Sequence, residues 1–149
     1  MIYGSMFEQL IGKTVVSILL EKDEQGIVQF KTSDDSVHSY RTEADCCNDV
    51  WINHMSGVSA LKGSTISKVV PKDWTKVEGI TTDTGKERTK DVEESCIWTF
   101  HTSGGYFDLE LRNSHNGYYG GEMTYIGNNP TINKYSQELT TMVEILEDF

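Results

Sequence analysis

The sequence predicts a single α+β domain over residues 1–149. It has a mostly antiparallel sheet of about six to seven strands, a short N-terminal helix and a C-terminal amphipathic helix. Three observations predict it. Runs rich in Val, Ile, Thr and aromatic residues recur from Lys13 to Ile126, separated by short polar turns. Apolar residues near both ends fall at helical spacing. The length of 149 residues, with 37% hydrophobic, suits one domain with a true core.

Taken in order, Met6, Phe7, Leu10 and Ile11 share one side of a helix over Tyr3 to Ile11, which Gly12 ends. Lys13 to Leu20 reads as a buried strand. Asp23-Glu24-Gln25-Gly26 turns the chain into a second strand, Ile27 to Lys31. Ser33-Asp34-Asp35-Ser36 then leads into Val37 to Arg41, which alternates. Short polar turns between three such strands predict an antiparallel meander. Thr42 to Val58 reads two ways. Ala44, Cys47, Val50, Trp51, His54 and Met55 fit a helical stripe, whereas Val50-Trp51-Ile52 suits a strand. Ser64 to Val70 is extended again, and Pro71 ends that strand.

Residues 71–94, PKDWTKVEGITTDTGKERTKDVEE, form a polar insertion, either a hairpin or a flap. After it, Cys96, Trp98 and Phe100 share one face of a strand, and Ser103-Gly104-Gly105 turns it back. In the return strand Phe107, Leu109 and Leu111 point inward while Asp108, Glu110 and Arg112 face water. Asn116-Gly117 is a hairpin dipeptide before a strand near Glu122 to Ile126. Residues 131–149 then read as an appended helix, with Leu139, Met142, Val143 and Leu146 on one face. Glu144, Glu147 and Asp148 crowd its last turn. There each carboxylate opposes the helix dipole by a few tenths to about 1 kcal/mol, so packing must outweigh them.

Charge narrows the partners. Thirteen Lys plus Arg against 23 Asp plus Glu leave −10 at pH 7. This opposes direct binding to a nucleic-acid polymer, where cations must replace counterions, and equally to an anionic membrane. No basic start precedes an apolar run at the N-terminus, and Val15 to Leu20 falls far short of the roughly 20 residues that span a bilayer. Cys46, Cys47 and Cys96 are an odd set with two neighbours, which suits reduced thiols and a cytoplasmic setting.

Candidate chemistry is sparse. His38, His54, His101 and His115 with the cysteines lack the pair spacings of a zinc site, and no metal or other cofactor is expected. Cys47 reads as a core thiol, Cys46 as a half-exposed one, and Cys96 as core beside Trp98 and Phe100. Asp108 and Glu110 read as solvated charges. No residue is assigned a catalytic role, and no enzyme is expected. The distinctive stretch runs from Asn113 to Gly121, with Arg112 adjacent. Arg112, Asn113, Asn116, Tyr118 and Tyr119 offer hydrogen-bond donors and stacking faces suited to a base or a small nucleotide.

Asp45-Cys46-Cys47, followed by Trp51-Ile52 and His54, stands upstream of Trp98-Thr99-Phe100 and Asn116-Gly117-Tyr118-Tyr119. Ile11-Gly12-Lys13-Thr14-Val15 opens the first strand. This order resembles a small domain family of unknown function found largely in tailed-phage genomes, over residues 7–70 and 95–126. The insertion and the C-terminal helix depart from that pattern. The resemblance implies an accessory protein acting in the host cytoplasm, an associational step from genomic company.

Three functions follow as expectations. The first is a non-catalytic inhibitor of a host protein, such as a defence factor, contacting it through an acidic surface and the helix residues Glu144, Glu147 and Asp148. From Gly104 onward seven acidic residues stand against only Arg112 and Lys134. The second is a sponge for a small cyclic-nucleotide signal, held by Arg41, Trp98, His101, Arg112 and Tyr119. The third is a virion or assembly component. A homo-oligomer stays open under each.

Overall fold

The computed structural model describes residues 6–44, 48–77, 92–115, 120–128 and 141–149. Among them are nine strands: β1 (Val15–Glu21), β2 (Ile27–Thr32), β3 (Val37–Glu43), β4 (Asp49–Ser56), β5 (Ile66–Lys76), β6 (Val92–Thr102), β7 (Gly105–His115), β8 (Glu122–Asn128) and β9 (Met142–Glu144). One helix, α1 (Val58–Leu61), is a single turn. The strands form two antiparallel sheets, ordered β8-β3-β2-β1-β9 and β4-β7-β6-β5. No helix among the described residues is long and apolar enough to cross a membrane.

The α+β expectation is therefore corrected to an all-β fold. At the N-terminus the described residues hold only a 3₁₀ turn, Glu8–Leu10. Gly12, with φ near +81°, breaks the chain before a second turn can form. At the C-terminus the expected amphipathic helix gives way to β9 and an extended tail over the described residues 141–149; residues 131–140 lie outside the described set. Val143 sits opposite Leu20, Lys22 N–H donates to Thr141 O at 3.0 Å, and Ile145 N–H donates to Ile18 O at 2.8 Å. The edge of β1 thus supplies main-chain partners for this segment. A helix would instead have gathered Glu144, Glu147 and Asp148 at its negative end. Thr42 to Val58, which read two ways, holds strand β4 rather than a helix. Pro71 does not end its strand either. It sits within β5 opposite Trp98, on a sheet edge where the missing N–H leaves no ladder bond unmade.

The core lies between the sheets. Val28, Phe30 and Tyr40 face Cys96, Trp98, Phe100, Phe107 and Leu109, all buried. Phe7 from the 3₁₀ segment plugs the middle, edge-on to Trp98 at 5.4 Å between ring centroids and 4.6 Å from Tyr40. Tyr40 Oη donates to Gln9 Oε1 at 2.9 Å, which ties that segment down.

Main-chain bonds also stitch the two sheets along their edges. On one side Gly12 N–H donates to Ile66 O at 2.7 Å, and Val15 N–H donates to Ser64 O at 3.1 Å. On the other, Ile52 N–H donates to Gln25 O at 2.8 Å, while Met55 and Phe149 exchange bonds of 3.2 and 3.0 Å. Asp148 Oδ1 accepts the Val58 N–H at 2.8 Å, anchoring the tail to the start of α1. β5 and β6 pair outward as far as Lys76 opposite Glu94, so both ends of the 71–94 insertion are strand; residues 78–91 lie outside the described set.

Candidate functional site

Alternation along β6 and β7 sorts their side chains. Cys96, Trp98, Phe100, Leu109 and Leu111 enter the core, so Glu93, Ser95, Glu110 and Arg112 stand on the opposite face. That face is not simply solvated, because Glu93 is completely buried and Arg112 is 8% exposed. Arg112 Nη1 donates to Glu93 Oε2 at 2.6 Å, and its Nε donates to Glu110 Oε2 at 3.1 Å. Ser95 Oγ also donates to Glu110 Oε2, and Asn53 Nδ2 donates to its Oε1 at 2.9 Å. Trp51 Nε1 donates to Asn53 Oδ1 at 3.1 Å, extending the network onto β4.

Electrostatics follow from this wiring. Burial acts to raise the Glu110 carboxyl, but donation from Ser95, Asn53 and Arg112 outweighs it, so the group is held below its ordinary range. Burial opposes the Arg112 charge, and Glu110 and Glu93 more than restore it. A guanidinium held between two carboxylates is already neutralised, which suits a structural cross-strand clamp rather than a phosphate grip. Glu93 Oε1 and Ser114 Oγ, on residues directly opposite in the ladder, are buried without a hydrogen-bond partner among the described residues. Burial also pushes the Cys96 thiol well above its usual range, holding it neutral in the core.

A second region lies along β9. A cleft of about 520 Å³ is bordered by Leu20, Glu21, Lys22, Gln25 and residues 143–149. Its apolar members are unusually open, with Leu146 at 71%, Val143 at 42% and Phe149 at 39% exposure. Glu21, Glu144, Glu147 and Asp148 border it against one cation, Lys22. Exposed apolar groups gathered in a polar rim are the usual mark of an interaction site.

The structure disperses the residues expected for a nucleotide. Trp98 is buried in the core, and Arg112 points from the same sheet to the opposite face. Arg41 lies in the other sheet, and its Nη2 donates to Glu43 Oε1 at 2.6 Å. His101 is half-buried, edge-on to Tyr106 at 4.9 Å. Asn113 is buried, its Oδ1 accepting from Asn48 Nδ2 at 2.9 Å. Asn116, Tyr118, Tyr119, Cys46 and Cys47 lie outside the described residues. Among the described residues no three His, Cys, Asp or Glu side chains come together as a metal set. Glu144, Glu147 and Asp148, expected on a helix, stand on β9 and the extended tail, and Asp148 is engaged with α1.

Sequence reasoning missed Glu93, Ser95 and Asn53, and it read Glu110 as solvated. A signal was present, since Glu93 and Ser95 alternate along β6 while Glu110 and Arg112 alternate along β7. Opposed hairpin strands bring such residues face to face. The apolar cleft was hidden inside a helical reading of Val143 and Leu146.

These features define a class: a two-sheet antiparallel β domain, one face clamped by buried charges and one edge carrying an acid-rimmed apolar cleft. The chain belongs to the family described as a domain of unknown function (DUF7448), whose model matches residues 8–125. That span includes the 71–94 insertion and stops before β9. Neither the curated proteins nor the solved structures give a match.

Proposed function

We propose that this protein is a non-catalytic binding protein that holds a protein partner in the cleft along β9. The observation that carries the reading is the exposure of Val143, Leu146 and Phe149 within a rim of four carboxylates. Such a rim favours a partner surface that is basic around an apolar centre, because like-charged surfaces are repelled before contact. The resemblance to tailed-phage domains supports an accessory role in an infected cell, with a host protein, such as a defence factor, as the partner.

Affinity capture from infected cells with the native chain and with an E144K/E147K/L146D variant as baits tests this. The native bait retains a basic protein whose recovery falls as salt rises, and the variant loses it. Equal recovery by both baits, or no specific protein on the native bait, refutes the reading.

A further inference from the structure

We infer that the partner binds by adding an extended strand to the open edge of β9, which deepens the reading above and rests on it. In the β1–β9 ladder the pairs Lys22–Thr141, Leu20–Val143 and Ile18–Ile145 face one another. Lys22 N–H bonds Thr141 O, and Ile145 N–H bonds Ile18 O. Antiparallel pairs alternate, so Thr141, Val143 and Ile145 turn their main-chain groups toward β1. Met142 and Glu144 turn theirs away.

β9 ends its sheet, and no described strand pairs with it on the outer side. Its outward N–H and C=O groups are a template for one more strand. Val143 and Glu144 border the cleft together with Leu20, Glu21 and Lys22 on the β1 side, so the open edge of β9 flanks the cleft.

The two faces also specify the added strand. Val143 lies beside Leu20 on the core-facing side, whereas Glu144 lies on the outer side, where the next outward residue of β1 is Glu21. A segment alternating apolar and basic side chains places its apolar groups next to Val143 and its cations next to Glu144, with Glu21 one strand further in on the same face. The occupant is thus an extended, basic–apolar segment of a protein partner.

Titration of the native chain with the labelled peptide KVKVKVK, read by fluorescence anisotropy, tests the mode. Methylating the peptide amides that face β9 weakens binding at least tenfold, while methylating the alternate amides changes it less than threefold. E144P deletes an outward N–H and no bond to β1, so it folds and weakens binding at least tenfold. E144Q keeps that N–H and weakens it only a few-fold. Amide exchange at Met142 and Glu144 slows when peptide is bound. Indifference to both methylation patterns and to E144P overturns strand addition while leaving the cleft as the binding site. Absence of peptide binding by the native chain also overturns it, and the capture experiment with the charge-reversed bait then judges the cleft separately.

Discussion

Replacing Arg112 with Met tests the buried clamp. The substitution keeps much of the side-chain volume but removes the donors to Glu93 Oε2 and Glu110 Oε2. Glu110 retains Ser95 and Asn53, whereas Glu93 is wholly buried, and its other oxygen has no partner among the described residues. Breaking a buried ion pair from one side costs about 3–5 kcal/mol, because the remaining charge is left uncompensated in a poor solvent for it. Near 150 residues each kcal/mol moves Tm by about 2–4 °C, so R112M melts roughly 6–20 °C below the parent.

Removing both charges is different. The double variant E93L/R112M recovers most of that loss, since an apolar pair of similar volume avoids desolvating either ion. Urea unfolding of the parent, both single variants and the double closes a mutant cycle whose coupling exceeds about 2 kcal/mol. A cost below about 1 kcal/mol for R112M, or additive single effects, refutes the clamp.

Three further outcomes follow. Gly57 has φ near +85°, and a Cβ there would sit 2.1 Å from Tyr106 O, so G57A is destabilised by more than about 2 kcal/mol in urea unfolding. Burial holds His38 below its ordinary 6.5, outweighing the opposing pull of Asp34. The folded chain then takes up that proton less readily than the unfolded one, and Tm falls as pH drops below about 6.5; H38Q removes this first stage. A steeper loss follows as pH falls below about 4.5, because Glu110 has its folded-state titration depressed, as do Asp34 and Asp148. Melting curves from pH 8 to pH 3 show both stages or refute them. Finally, peptide mapping after brief iodoacetamide treatment at pH 8 finds Cys96 unmodified in the folded protein and modified in urea, because its thiol is buried and held neutral.

Strand periodicity was the readable part of this sequence. Cys96, Trp98 and Phe100 against Phe107, Leu109 and Leu111 describe one hairpin, and the described ladder pairs them in that sense. The turns at Gln25 and Asp35 were equally visible, and both adopt positive φ. What failed was the ends. Leu139, Met142, Val143 and Leu146 fit a helical stripe, but Val143 and Ile145 also alternate, and a short window does not separate the two periods. The decision came from the vacant edge of β1, a tertiary demand that no local pattern records. Glu93 and Arg112 were misjudged for a similar reason, since burial of the second face of a sheet depends on what lies over it rather than on alternation. Within the nucleotide set, Trp98 and Arg112 belong to opposite faces of one sheet, a parity the strand pattern already carried.

The stitches between sheets also order events during synthesis. Ile18 and Met55 leave the ribosome long before Ile145 and Phe149, the residues that complete their edges. Until then the nascent chain displays the flank of β1 and part of β4 as unmet hydrogen-bonding rows, which invite pairing with neighbouring chains. The excess of acidic over basic residues upstream of β9 keeps like chains apart during that interval. Of the four carboxylates that rim the cleft, only Glu21 is present in that interval; the other three arrive with the tail that covers the exposed rows.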